Sequence, residues 1–319
     1  MCEFLDSTDF IFNTNVHQRI CIEGIDGNKI LKQSNNIMKD FENKLSFYKE
    51  DSEISEINKN AGKEFSKVSS DTFNIIKLSK FYSNMTNGLF DVTIAPLVKE
   101  WRINSLSPNV PSEEKIKEII KLVNYNDIIV DDSNLSVKLL REYQKIDLGG
   151  IAKGYIADRL IEFYKENNVK SAIVNLGGNI KVLGRKSEEK LWNVGIYYPK
   201  KNSNNIVCSL QLEDKSIVTS GAYERAFIYN NNIYHHILNP ITGKPCKTDL
   251  KSITIISDSS LEGDALSTPL FIMGKYKASE FMKKYNISGV MITKDDEIII
   301  TKDLIKQFSL MGNYKVLAF

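Results

Sequence analysis

The order of apolar and polar positions predicts a chain that mixes helices with strands. Four apolar residues recur at helical spacing between residues 28 and 48 and predict a core-facing helix there: Leu31, Met38, Phe41 and Leu45. Three further segments are predicted to be helices: residues 71–85, 112–123 and 155–164. Alternating or short apolar runs predict strands elsewhere: residues 10–23 (an opening strand or a hairpin arm), 128–130, 135–140, 172–184, 192–197, 206–212, 216–219 and 252–257.

The arrangement of these segments predicts one intertwined α+β unit. Strands dominate the second half, and no internal repeat or low-complexity linker divides the chain. Residues 46–58 are expected to form a polar connection. The pair Gly177-Gly178 is expected to mark a bulge or a close approach of the backbone within a strand run. We therefore predict a single mixed α/β unit over residues 1–319, with a strand-rich second half.

Composition and charge describe an ordinary globular protein. Of its 319 residues, 42% are hydrophobic and 26% are charged, which is enough apolar material for a sizeable core. Lysine and arginine number 42 against 40 aspartate and glutamate, so the formal net charge is +2. No global charge favours nucleic acid or an anionic membrane as a partner. Any binding of an anion must depend on local groups.

The cysteines and the N-terminus bear on cellular location. The four cysteines are scattered without a Cys-x-x-Cys spacing, which argues against a zinc site or a disulfide scaffold and favours a reducing compartment. The first residues have no charged and apolar pattern of a signal peptide, so the chain as written is expected to be cytoplasmic. The alternative is a membrane-anchored lipoprotein on the outer face, if a signal peptide has been removed before Cys2 and this cysteine is lipidated.

Residues 145–158 contain the densest functional pattern. Asp147 is followed by Gly149-Gly150 and then by Lys153-Gly154 at the start of an amphipathic run. Glycines let a backbone approach an anionic ligand closely, and a helix start attracts phosphate. The pattern therefore indicates a phosphate or nucleotide site. The alternative is an ordinary strand-to-helix turn followed by a solvated lysine, since neither known phosphate-loop pattern is present.

Two residues upstream have open interpretations. Asp91 lies in a strongly apolar stretch, where an unpaired buried carboxylate is costly. It therefore either caps the backbone or contacts a ligand. In the polar connection, Tyr48 is the only large uncharged residue with a polar group. Most such tyrosines simply cover a core.

Two of the three histidines are adjacent, at His235 and His236. Strand alternation would point them to opposite faces, so they are not both ligands of one metal unless the strand is distorted. The inward-pointing histidine, close to the turn at residues 239–243, is a candidate acid, base or phosphate contact. The alternative is a structural histidine.

Asp264 and Thr268 stand four residues apart, so on a helix they share one face. A carboxylate and a hydroxyl in this arrangement suit Mg²⁺, which binds oxygen ligands and accepts further oxygens from a backbone carbonyl and from phosphates. The alternative is an aspartate in the first turn of a helix capped by Ser259 or Ser260.

Six motifs in this order closely resemble those of the ApbE family, the FAD:protein FMN transferases. They lie at residues 90–97, 147–154, 175–180, 219–225, 236–245 and 263–268, so the resemblance spans nearly the whole chain. It implies a mixed α/β fold with the flavin in a cleft. It further implies Mg²⁺-dependent transfer of FMN from FAD to a Thr or Ser hydroxyl of a target flavoprotein subunit, with release of AMP.

The resemblance also implies roles for particular residues. The metal would be held by Gly150 through its main-chain carbonyl, by the Asp264 carboxylate and by the Thr268 hydroxyl. His236 would lie beside the reacting phosphates, and we expect it to take the proton of the acceptor hydroxyl. FAD, the substrate, would contact seven residues: Tyr48, Leu89, Phe90, Asp91, Asp147, Lys153 and Ile237. The alternatives are an FAD pyrophosphatase that releases free FMN and AMP, and a non-catalytic flavin-binding protein.

Overall fold

The computed structural model describes residues 3–24, 26–103 and 105–319. This part of the chain contains both helices and strands, which confirms the mixed fold class. The helices are α1 (Gly27–Leu45), α2 (Glu53–Lys59), α3 (Ser70–Met85), α4 (Ala95–Trp101), α5 (Glu113–Ile119), α6 (Ala152–Glu166) and α7 (Ser260–Tyr285). Short 3₁₀ turns lie at Val92–Ile94, Ile120–Leu122, Tyr125–Asp127 and Lys302–Gln307.

The strands concentrate in the second half of the chain, as predicted. They are β1 (Phe4–Ile11), β2 (Thr14–Cys21), β3 (Ser66–Lys67), β4 (Ile128–Asp131), β5 (Ser136–Leu139), β6 (Ser171–Leu176), β7 (Asn179–Leu183), β8 (Trp192–Tyr197), β9 (Ile206–Leu212), β10 (Ser216–Gly221), β11 (Ala226–Tyr229), β12 (Asn232–His235), β13 (Leu238–Asn239), β14 (Lys244–Pro245), β15 (Leu250–Ser257), β16 (Ser288–Thr293), β17 (Ile298–Ile300), β18 (Phe308–Leu310) and β19 (Val316–Ala318).

The chain forms two compact units whose segments alternate along the sequence. Unit one comprises Met1–Glu42, Lys153–Gly221 and Thr248–Phe319, and unit two comprises Asn43–Ala152 and Ala222–Lys247. The chain therefore passes from one unit to the other four times. The assignment of residues 1–319 to a single domain stays a prediction.

Unit one is built on a nine-stranded sheet in the order β1-β2-β6-β7-β10-β15-β16-β17-β19. Only the last pair of neighbours, β17 and β19, is parallel. Helix α7 packs against β10 and β15, and the Tyr164 hydroxyl of α6 bonds to Gln18 of β2. A buried apolar cluster joins this sheet to the three-stranded sheet β18-β9-β8. Its members include Trp192, Leu210 and Ile292. The unit thus has a helix layer and two strand layers.

Unit two contains α2 to α5, the small sheet β3-β5-β4 and two hairpins, β11-β12 and β13-β14. Leu97 and Trp101 of α4, Ile116 and Ile119 of α5, and Leu238 of β13 form one buried cluster. The Trp101 indole N–H donates to the Gly243 carbonyl at 2.8 Å. This bond and the apolar cluster fix the second hairpin on α4 and α5.

Helix α1 confirms the first helix prediction, because all four of its predicted core residues are buried. Helix α3 ends as predicted: Gly88 has a φ of +77° and its amide donates to the Ser83 carbonyl at 2.8 Å. Residues 10–23 include a hairpin turn, at Phe12-Asn13, between β1 and β2.

Two local predictions need correction. The segment at residues 46–58 is not an irregular connection, because it contains most of α2, whose Ser52 side chain accepts from the Ser55 amide and whose Ile54 and Ile57 are buried. The pair Gly177-Gly178 forms the two-residue turn of the β6-β7 hairpin, with φ of +63° and +92°, and no bulge. The expected close approach is present, since a Cβ on Gly177 would lie 2.5 Å from Thr14 Oγ1.

The cysteines differ from the prediction at one position. Cys208 and Cys246 are buried free thiols, but Cys21 is disulfide-bonded; the expected reducing compartment stays a prediction. The hypothesis of lipidation at Cys2 lies outside the described residues. None of the described helices is long and apolar enough to cross a lipid bilayer.

Candidate functional site

The predicted site residues fall into two groups, one in each unit. Unit one holds Lys153, Asp264 and Thr268, and the other predicted residues belong to unit two: Tyr48, Leu89, Phe90, Asp91, Asp147, Gly150, His236 and Ile237.

Asp264 lies in α7 and is only 6% exposed. It is the fifth residue of the helix, and Ser259, whose hydroxyl accepts from the Glu262 amide at 3.3 Å, is the N-cap. Asp264 Oδ2 accepts a hydrogen bond from the Gly154 amide of α6 at 2.9 Å. Oδ1 accepts no hydrogen bond from the described residues. Asp264 therefore lies beyond the first turn, where it holds a second helix with one oxygen and offers the other to a ligand.

Thr268 lies one turn further along α7 and is half-buried. Its hydroxyl is 3.3 Å from the Ser220 hydroxyl of β10, while Ser220 donates to Ser267 at 2.8 Å. A distance of 3.3 Å is long for a bond between hydroxyls. The Thr268 oxygen therefore has a weak protein partner, which suits a group that can also bind a cation.

A glycine makes the contact between α6 and α7 possible. A Cβ added to Gly154 would lie 2.3 Å from the Ser260 carbonyl oxygen and 2.6 Å from the Leu261 Cα. Only glycine fits so close to another backbone, and this closeness lets the Gly154 amide reach Asp264. In the structure this glycine approaches a helix start, and the predicted approach of the backbone to an anionic ligand stays a prediction.

Asp158 is a functional candidate to which sequence reasoning assigned no role. It lies on α6 one turn after Gly154, and its carboxylate accepts from the Ser260 and Leu261 amides at 2.8 and 3.0 Å. The sequence contained one signal, a carboxylate four residues after a glycine at a helix start. Nothing in the sequence identified α7 as its partner.

Helix α6 begins immediately after the glycine pair. Both Ile151 and Ala152 donate their amides to the Leu148 carbonyl, at 3.0 and 2.9 Å, which forms the turn into the helix. The helix proper starts at Ala152, so the Gly150 carbonyl precedes its hydrogen-bonded turns. Lys153, the second residue of the helix, is half-buried.

In unit two, Phe90 lies beside Gly150 of the glycine pair. The ring of Phe90 is buried, and its Cε2 lies 3.4 Å from the position that a Cβ on Gly150 would take. Asp147 is fixed by two bonds: its amide donates to the Val92 carbonyl at 2.8 Å, and its Oδ1 accepts from the Gly149 amide at 2.9 Å. Three predicted site residues, Phe90, Asp147 and Gly150, are thus brought together.

Asp91 is buried and uses both carboxylate oxygens within the protein. Oδ1 accepts from the Thr93 amide at 2.8 Å and from the Thr93 hydroxyl at 2.6 Å, and Oδ2 accepts from the Tyr125 amide at 3.0 Å. Burial raises the pKa of this carboxyl above its ordinary value, although the three donors oppose the rise. The geometry favours backbone capping among the two interpretations, and a contact with FAD stays a prediction.

The two histidines have different surroundings. Strand β12 ends at His235, whose Nε2 is 2.9 Å from the Cys246 carbonyl. His236 follows the strand, is half-buried, and has Nδ1 3.2 Å from the Arg225 carbonyl. A carbonyl can only accept, so the Nδ1 of His236 carries the hydrogen. That tautomer leaves Nε2 as the ring nitrogen able to take a proton.

The other predicted flavin contacts vary in exposure. Tyr48 is 69% exposed; desolvation of its hydroxyl and then the charge of Asp147 raise the pKa of the phenol. Leu89 is half-buried. Ile237 is buried, and its carbonyl accepts from the Cys246 amide at 2.9 Å. All three remain predictions as contacts of FAD.

The donor groups suit a hard cation. No three His, Cys, Asp or Glu side chains cluster as a metal site within residues 3–24, 26–103 and 105–319. The predicted set would not form such a cluster, because it contains one carboxylate, one hydroxyl and one carbonyl. Oxygen donors of this kind fit Mg²⁺, which keeps water ligands and takes substrate phosphates. Asp264 Oδ1 accepts no hydrogen bond from the described residues, and the Thr268 hydroxyl has only a long one. Both oxygens are therefore suited to bind such a cation.

The fold is that of solved flavin transferase structures. An ApbE protein from Thermotoga maritima superposes with a TM-score of 0.89 at 30% identity, covering 96% of this chain and 99% of that one. The flavin transferase ApbE from Vibrio cholerae has the same fold, with a TM-score of 0.84 at 24% identity over 93% and 96% of the two chains.

Sequence comparison gives the family. The sequence model of the ApbE family matches residues 12–291, and the chain belongs to this family. It is similar to the FAD:protein FMN transferase of Klebsiella pneumoniae, with 35% identity over 88% of each chain. It is also similar to the enzyme of the same name from Treponema pallidum, with 30% identity over 80% of this chain and 74% of that one.

Proposed function

We propose that this protein is a transferase that moves FMN from FAD to an acceptor protein. Its similarity to two relatives named FAD:protein FMN transferase, each covered over about three quarters of its length or more, supports this activity. The observation that carries the proposal on this chain is Asp264, a nearly buried carboxylate with one oxygen bound to a helix amide and one available. Flavin binding alone would not require such a group.

In the proposed reaction a Thr or Ser hydroxyl of the acceptor attacks the phosphorus of the FMN half of FAD. A new phosphoester bond forms, and the bond from that phosphorus to the bridging oxygen breaks. The bridging oxygen leaves with AMP. The hydroxyl proton goes to a base, and we assign this role to His236 Nε2, because the Arg225 carbonyl holds the hydrogen on Nδ1.

Three oxygen groups would hold Mg²⁺: the Gly150 carbonyl, the Asp264 carboxylate and the Thr268 hydroxyl. The ion would supply positive charge where negative charge builds on the pyrophosphate. The Lys153 ammonium would add to this charge at the start of α6, where the helix amides also favour an anion.

We assign contacts with FAD to the residues around the glycine pair and to Lys153. The buried Phe90 ring and the carboxylate of Asp147 are held by the contacts described above, so they need little ordering on binding. Tyr48, Leu89, Asp91 and Ile237 complete the proposed set of contacts. The acceptor would be a flavoprotein subunit that presents a Thr or Ser.

The first test is incubation of the purified protein with FAD and Mg²⁺, with and without a candidate acceptor, followed by intact mass analysis. We expect the acceptor to gain the mass of one FMN residue and AMP to appear in equal amount, and both to stop when Mg²⁺ is chelated. Free FMN and AMP in the presence of several acceptors, with none labelled, would instead indicate an FAD pyrophosphatase. Intact FAD bound one to one would indicate a binding protein.

A further inference from the structure

Asp158 uses both of its carboxylate oxygens to hold the start of α7. Oδ1 accepts from the Ser260 amide at 2.8 Å, and Oδ2 accepts from the Leu261 amide at 3.0 Å. The hydroxyl of Ser259, the N-cap of α7, also donates to Oδ2 at 2.7 Å. Two of the amides that a helix start leaves without partners, and the capping side chain itself, are therefore bound by one carboxylate.

A buried lysine fixes the position of this carboxylate. Lys181 of β7 is 7% exposed, and its ammonium lies 2.8 Å from Asp158 Oδ1 and also donates to the Asp258 carbonyl. A buried ammonium needs a charged partner, since an unpaired charge in such a place is strongly unfavourable. Asp158 is therefore tied to the central sheet as well as to α7.

Helices α6 and α7 each bind a carboxylate of the other through backbone amides. Asp158 of α6 binds the first amides of α7, and Asp264 of α7 binds the Gly154 amide of α6 at 2.9 Å. Asp158 lies four residues after Gly154 in α6, and Asp264 lies four residues after Ser260 in α7. In each helix the carboxylate and the amide that take part in these contacts are therefore about 6 Å apart along the axis. A shift of α7 relative to α6 would change both contacts together.

We propose that Asp158 is a positioning residue for the metal-binding carboxylate: through the start of α7 it fixes Asp264 so that Oδ1 is directed to Mg²⁺. This inference rests on the proposed function, because it requires that Asp264 bind the metal. Groups that orient a metal ligand without touching the metal commonly affect metal affinity by about 10- to 100-fold when they are removed.

The test is the substitution Asp158→Asn. Asparagine has nearly the same shape, but it has one acceptor oxygen and would leave Lys181 without a charged partner. Two quantities are measured in the wild type and the variant. The first is the Mg²⁺ concentration that gives half-maximal FMN transfer, and the second is the Mg²⁺-dependent rise in the thermal unfolding midpoint with FAD present. We expect the half-maximal concentration to rise at least tenfold and the maximal rate at saturating Mg²⁺ to change much less.

The matched control is Asp249→Asn. Helix α7 is interrupted at Gly274, and Asp249 Oδ1 accepts from the Lys275 amide at 2.9 Å, at the start of the second segment of the same helix. This control removes a charged cap from α7 at a place remote along the helix from Asp264. We expect its Mg²⁺ dependence to equal that of the wild type, even where its unfolding midpoint falls.

The outcomes separate the two proposals. A lower unfolding midpoint for Asp158→Asn with the wild-type Mg²⁺ dependence would overturn the positioning role and leave Asp158 a structural cap. An equal rise in Mg²⁺ requirement for Asp158→Asn and Asp249→Asn would overturn it too, because any loss of helix stability would then suffice. A wild type whose transfer and thermal midpoint are both insensitive to Mg²⁺ would overturn the metal site itself, and the inference with it.

Discussion

Asp264 divides its two carboxylate oxygens between two tasks. Oδ2 is bound to the Gly154 amide, whereas Oδ1 has no hydrogen bond from the described residues. An aspartate whose oxygens are both bonded within the protein, such as Asp91, is a poorer candidate for a metal ligand, because binding a metal would break existing bonds. The distribution of partners over individual oxygens thus distinguishes two buried aspartates that look alike in the sequence.

His236 provides the prediction at the residue scale. Replacing His236 by asparagine removes the ring nitrogen that would accept the hydroxyl proton, so we expect FMN transfer to slow by about 10²- to 10⁴-fold. FAD binding, measured by titration of flavin fluorescence, is expected to change little. Transfer at the wild-type rate would exclude this role.

The control for this prediction is His17→Asn. His17 lies in β2, where its ring is about half exposed and 3.3 Å from Asp6. The proposed chemistry gives it no role, so its removal should leave transfer and FAD binding unchanged. A similar loss in both variants would point to an effect on folding.

At the scale of elements, the closeness of α6 and α7 depends on Gly154. In an exposed helix, changing glycine to alanine stabilises by about 1 kcal/mol. Here the new methyl group would lie 2.3 Å from the Ser260 carbonyl. The added methyl group and the Ser260 oxygen are both fixed to a backbone, so neither can move away easily. The cost of overpacking should therefore exceed the gain in helix propensity. We expect Gly154→Ala to lower the free energy of unfolding by about 2 kcal/mol. Urea denaturation measures this, and a stabilised variant would contradict the close approach.

The sequence predicted elements where the periodic signal was long or its boundary residues were distinctive. Helix α1 and strand β9 lie close to their predicted ranges, and α3 ends at Met85, immediately before the predicted stop at residues 86–88. Helix α2 was missed because only Ile54 and Ile57 supply its apolar face in seven residues. The glycine turn between β6 and β7 was predicted as a bulge or a close approach of the backbone, because a two-residue hairpin and a bulge both require glycine in left-handed conformations.

The candidate site was predictable only in part, for a related reason. The residues of the predicted set were found by their order along the chain, which six motifs define. Asp158 and Lys181 were not found, because their importance depends on a contact between α6, β7 and the start of α7 across many intervening residues. A single sequence contains no direct signal for such a pairing.

For the whole molecule, the notable feature is the alternation of two units along one chain. Unit one is assembled from three segments and unit two from two. A segment that leaves a unit and later returns must be fixed at both of its ends. We therefore expect neither unit to unfold while the other stays intact. The predicted single domain over residues 1–319 would behave in this way.

The two buried free cysteines allow a direct test. Cys208 belongs to unit one and Cys246 to unit two, and burial raises the pKa of the Cys208 thiol to about 12. A thiol with such a pKa has almost no thiolate at pH 8, so it should react with alkylating reagents only after unfolding. We expect both cysteines to become reactive at the same urea concentration, as read by peptide mass spectrometry. Two separate midpoints would show that the units unfold independently.

The shared use of Asp264 has a consequence for how this protein could change during evolution. A descendant that did not use the proposed metal site would still be under selection to keep Asp264, because the same side chain joins α6 to α7. Thr268 has only one long hydroxyl contact within the described residues and could be replaced at little cost. Relatives that have lost activity should therefore retain the aspartate and vary at the threonine, so the aspartate alone is weak evidence that a relative is an active enzyme.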